Sequence, residues 1–125
     1  MNMKEYGILG NIIDPTYKDA YDSIGAFKVL PKLIGENKMQ VTCMTVVNLL
    51  NRSEMQIEAK KAEDQLNKAC NLCIKEVKKQ FKEEAGRALK VKETSKDLSV
   101  ELINMSAYSP KGTALVRNVY MFEVS

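Results

Sequence analysis

SEMQIEAKKAEDQLNKACNLCIKEVKKQFKEEAG, residues 53–86, decides the fold. Met55, Ala59, Ala62, Leu66, Ala69, Cys70, Cys73, Val77 and Phe81 recur in steps of three and four, which draws a single apolar stripe along one helix. Ser53-Glu54-Met55-Gln56 fits a capping box at the start, and Gly86 suits the left-handed stop at the end. The spacing predicts one helix over residues 53–85. At 1.5 Å per residue such a helix spans about 50 Å, longer than the ~40 Å of a twelve-residue strand. A small sheet would leave part of the stripe over, to be covered by another part of this chain or by another chain.

The segments on either side alternate instead. Residues 39–50, MQVTCMTVVNLL, set Val41, Cys43, Thr45, Val47 and Leu49 against a second phase that is itself partly apolar. After the helix, Leu89–Thr94 and Leu98–Met105 read as strands joined by a turn at Ser95-Lys96-Asp97. Ser106 to Gly112 carries turn residues, with Pro110 two positions before Gly112. Residues 113–124, TALVRNVYMFEV, place Ala114, Val116, Tyr120, Phe122 and Val124 on one face and Leu115, Val119 and Met121 on the other. Strands apolar on both faces are normally covered on both.

Residues 1–38 hold four of the six glycines and two of the three prolines. An apolar cluster of Ile8, Leu9, Ile12 and Ile13 precedes Asp14-Pro15, a cap and first turn for a helix to about Ser23. Phe27, Leu30, Leu33 and Ile34 suggest one more helical turn, limited by Pro31. The expected organisation is an N-terminal arm with short helices over 1–38, followed by a single α+β domain over 39–125. Its order is β-α-β-β-β, with one long helix on a small, mostly antiparallel sheet.

Cys70 and Cys73 form a C-x-x-C pair, a spacing shared by metal sites and redox pairs. Structural zinc needs four ligands, and the chain has no histidine and only Cys43 besides. A redox pair belongs at a helix N-terminus, where the dipole lowers the thiol pKa, whereas these two lie mid-helix on the apolar stripe. Free cysteine packs as a small hydrophobe, and the three are expected in the core, with no metal and no cofactor.

The lack of histidine also removes the commonest general base and its nucleophile systems, and no phosphate-cradling glycine motif occurs. The acids fall beside lysines on a solvated helix face. A non-catalytic protein is expected. Three cysteines are an odd count, and neither an export signal nor a membrane-length apolar run is visible. The expected location is the cytoplasm, or a virion if the protein is viral.

Nineteen basic residues against sixteen acidic give a net charge of +3, and the surplus lies in residues 52–97. Lys75, Lys78, Lys79, Lys82, Lys90 and Lys92 would form a basic ridge for a nucleic-acid backbone. Matching of late bases to the helix dipole explains the same pattern, and no aromatics interleave as stacking platforms. The leading expectation is therefore a structural protein acting by self-association or by docking in a larger complex, such as a virion or mobile-element machine. Its contact residues would be Ile8, Leu9, Ile12, Ile13, Leu115, Val119 and Met121. A nucleic-acid-binding module is the alternative.

Overall fold

The computed structural model describes residues 1–13, 27–105 and 111–125. The helix expected over 15–23 and the loop residues 106–110 lie outside them. The described elements are α1 (Met3–Ile12), β1 (Lys28–Leu33), β2 (Lys38–Leu49), α2 (Met55–Ala85), β3 (Val91–Met105) and β4 (Gly112–Val124). The strands form one antiparallel sheet in the order β1-β2-β4-β3, so the fold is α+β. Among these elements the connection α-β-β occurs twice, and the second strand of each unit lies at the centre of the sheet.

The long helix starts later than its sequence suggests. Asn51, not Ser53, supplies the cap: its side chain accepts from the Ser53 N–H at 3.0 Å and opens a 3-10 turn over Arg52–Glu54. Gly86 ends α2 as expected, with a left-handed φ of 78° and its N–H bonded to the Lys82 carbonyl. From Ala59 to Phe81 the whole stripe is buried within this chain. Three alanines and two cysteines on that stripe let α2 approach the sheet closely, while Leu66, Val77 and Phe81 fill the wider gaps. No second chain is needed to cover it.

Part of that cover comes from α1 and its C-cap: Leu9, Ile12 and Ile13 join the same core. A capping box starts α1: Asn2 accepts from the Glu5 N–H at 2.8 Å, and Glu5 accepts from the Asn2 N–H at 3.3 Å. Arg87 ties the ends together. Its guanidinium bonds the Glu5 carboxylate, donates to the carbonyls of Ala88 and Ser125 at 3.0 and 3.3 Å, and lies 5.2 Å from the Phe81 ring centre.

Two expectations fail locally. Residues 28–33 are a strand, not a helical turn, because Val29 and Pro31 alternate into the core and pair with Cys43 and Val41. Pro31 fits because β1 is an edge strand. The expected boundary at 38/39 thus falls inside the β1–β2 hairpin, whose connection holds Gly35 and Asn37 at φ 66° and 60°. The second failure is the turn at Ser95-Lys96-Asp97. Residues 91–105 run as one strand against β4, with an irregularity between Glu93 and Ser95. The extra residue there shifts the alternation by one, so the inward positions pass from Val91 to Leu98, Val100 and Leu102.

Candidate functional site

The two helices cover one face of the sheet, and no described element covers the other. Residues directly opposite in an antiparallel pair point to the same side, so the register identifies the uncovered set. Across the sheet, Leu30, Thr42, Val119 and Asp97 form one row. Lys28, Met44, Arg117 and Ser99 form the next, followed by Val46, Leu115 and Glu101. On the other side of the first row come Lys32, Gln40, Met121 and Ser95.

The middle of this face is mostly apolar, with Gln40, Thr42 and Arg117 among the apolar side chains. Leu30, Met44, Leu115, Val119 and Met121 are half-buried, and Val46 is 51% exposed. Charge rims the face: Lys28 and Lys32 stand on β1, Asp97 and Glu101 stand on β3, and Lys92 stands at the end of β3 opposite Glu123. Leu115, Val119 and Met121, expected as contact residues, all lie here. Leu30, Met44 and Val46 join them through the second phase of β1 and β2. The expected contacts Leu9, Ile12 and Ile13 are instead buried in this chain's own core, and Ile8 packs against it. The arm cluster is thus taken up within the fold.

The basic ridge divides. Lys75, Lys78, Lys79 and Lys82 are exposed on the outer side of α2, where Lys60, Lys61 and Lys68 extend the row. Lys61, Lys68, Lys75 and Lys82 recur every seven residues, which keeps them nearly in line over about 31 Å. The exposed acids on α2 are Asp64, Glu83 and Glu84. Glu58 and Glu63 sit at the helix flank and pair with Lys61 at 3.1 Å and Lys60 at 3.6 Å. Lys92, opposite Glu123, is on the far side of the sheet, and Lys90 precedes it at the same end. There Lys38, Lys90 and Lys92 line a shallow 560 Å³ cleft together with Glu36 and Glu123, a mixture of signs. The sheet separates the two groups, so the six lysines do not form one ridge.

Between α2 and the sheet lies a buried polar cluster. Asn118 is 0% exposed and donates to the Tyr120 hydroxyl at 3.0 Å; that hydroxyl donates to Asn67 Oδ1. Asn118 Oδ1 has no hydrogen-bond partner among the described residues. Burial pushes the Tyr120 hydroxyl pKa up. Cys43, Cys70 and Cys73 are all buried free thiols close by, and the Cys70 thiol pKa is pushed up by its hydrogen bond with Cys43 and by burial. The Cys70 thiol therefore stays protonated at neutral pH, which makes it a poor nucleophile. Among the described residues, no group of three or more His, Cys, Asp or Glu side chains is placed to hold a metal ion. No helix among them is long and apolar enough to cross a membrane. No protein-family model matches the sequence, and no curated protein matches it.

Proposed function

We propose that the chain is a non-catalytic assembly protein that self-associates through the open face of its sheet, alone or as the repeating part of a larger complex. The observation that carries this reading is the apolar centre of that face, which no described element covers, while the stripe of α2 is covered within the chain. Contiguous apolar surface rimmed by charge is characteristic of protein contact surfaces. The sheet edges argue for face-to-face rather than lateral association. β1 is short and contains Pro31, while β3 carries irregularities and exposed Lys92, Glu93, Lys96 and Asp97.

The test is sedimentation velocity of the wild type beside Val119→Asp and Leu115→Asp. A carboxylate at the centre of a buried face, left without a partner, costs several kcal/mol on the order of 3–5. The wild type should sediment as an oligomer and both variants as folded monomers. Equal sedimentation of all three would remove the open face from the contact.

The lysine row on α2 favours a second reading, binding to a nucleic-acid backbone. It is compatible with the first, because stacking through the open face leaves α2 outermost. Lys75→Glu, Lys78→Glu, Lys79→Glu and Lys82→Glu together should abolish retention on DNA in low salt without changing oligomer mass. A wild type that shows no salt-dependent retention removes this second reading.

A further inference from the structure

We infer that the occupant of the open sheet face is a second copy of this chain, stacked about a two-fold axis that runs parallel to the strands, between β2 and β4; this rests on the assembly reading above.

The charges of the face select that axis. Two copies meeting face to face through the same surface must be related by a two-fold in the plane of contact. An axis across the strands would lay β1 on the partner's β1, bringing Lys28 and Lys32 against their own kind. The same axis would bring Asp97 and Glu101 together. An axis along the strands lays β1 over the partner's β3 instead. Lys92 lies one row beyond the level of Lys32 and has Glu123 of its own chain directly opposite it. Every residue keeps its row, so the partner's Asp97 comes over the step between Lys28 and Lys32, and the partner's Glu101 lies one row beyond Lys28. Both contacts occur twice, once on each flank.

The centre is consistent with the same axis. Val46 meets the partner's Leu115, and Thr42 meets the partner's Val119. Arg117 is the one charge near the middle. Its diagonal neighbours on β3 are Asp97 and Glu101, which offer it a carboxylate at the rim. Twist turns stacked sheets by about 30°, which displaces the flanking strands by about 4 Å, a shift that a lysine stem spans. Four strands are about 19 Å wide; over about 30 Å of length the face covers on the order of 600 Å² per copy. The total of about 1,200 Å² reaches the lower end of stable interfaces.

Charge exchange tests the geometry by sedimentation equilibrium at low salt, with circular dichroism confirming that each variant is folded. Lys28→Glu with Lys32→Glu should weaken dimerisation about a hundredfold, and Asp97→Lys with Glu101→Lys should do the same, because each reversal is repeated by symmetry. An equimolar mixture of the two variants should dimerise again, as should one chain carrying all four changes. A wild-type dimer that neither variant weakens overturns this axis but leaves self-association standing. A wild type that is monomeric throughout overturns both.

Discussion

Asn118→Val should stabilise the protein, although it deletes a buried hydrogen bond. Asn118 is fully buried, and its Oδ1 has no hydrogen-bond partner among the described residues. An orphaned buried acceptor costs about 1–3 kcal/mol, and the amide's bond to Tyr120 returns a net ~1 kcal/mol. Valine relieves the first and forfeits the second. It also suits a strand. Tyr120 keeps its bond to Asn67. The balance favours the variant by about 1 kcal/mol, which for this length raises Tm by about 4 °C. Tyr120→Phe has the opposite sign, because it strands the Asn118 amide donor too; it should cost about 1–2 kcal/mol. Thermal and urea unfolding followed by circular dichroism measures both. A loss of more than about 1 kcal/mol in Asn118→Val would show that the carbonyl is satisfied and refute the reasoning.

Other consequences concern the core and its ties. Leu66→Ala, at a fully buried position on α2, should cost about 2–5 kcal/mol in urea unfolding. The Glu5 carboxyl is held below its ordinary value of 4.5, first by the hydrogen bond from Arg87 and then by the Asn2 N–H. A depressed carboxylate adds stability above its unfolded pKa and loses it as pH falls through the folded one. Glu5→Gln should therefore melt below the wild type at neutral pH, with the gap closing as pH falls below 4.5 in a series of thermal melts. The three thiols are buried, so a thiol reagent should label none in the folded protein and three after denaturation. Rapid native labelling of any one would contradict the packing of α2 on the sheet.

Much of this arrangement is legible in the residues. The α2 stripe and Gly86 define the helix because period and stop signal agree. β2 and β4 are legible from alternation, and the apolar second phase of β4 already marks Leu115, Val119 and Met121. The losses have particular causes. Pro31 reads as a breaker until an edge strand tolerates it. Leu89 and Val91 fall on odd numbers while Leu98, Val100 and Leu102 fall on even ones, a change of phase that a turn or an added residue can make. Pairing with the full length of β4 selects the added residue. α1 has a signal, Asn2 with Glu5 three positions on, hidden in a segment rich in glycine. Asn118 is legible too, as the polar break in the inward phase of β4. The basic ridge could not be resolved from sequence, since helix and strand lysines share a surface only if the topology puts them on one side.

The most direct measurement is absolute mass by light scattering over a range of protein concentrations, with the absorbance ratio recorded across the same peak. Self-association through the open face predicts a mass approaching twice 14.1 kDa, with the absorbance of protein alone. A mass that stays at 14.1 kDa to the highest soluble concentration would contradict it.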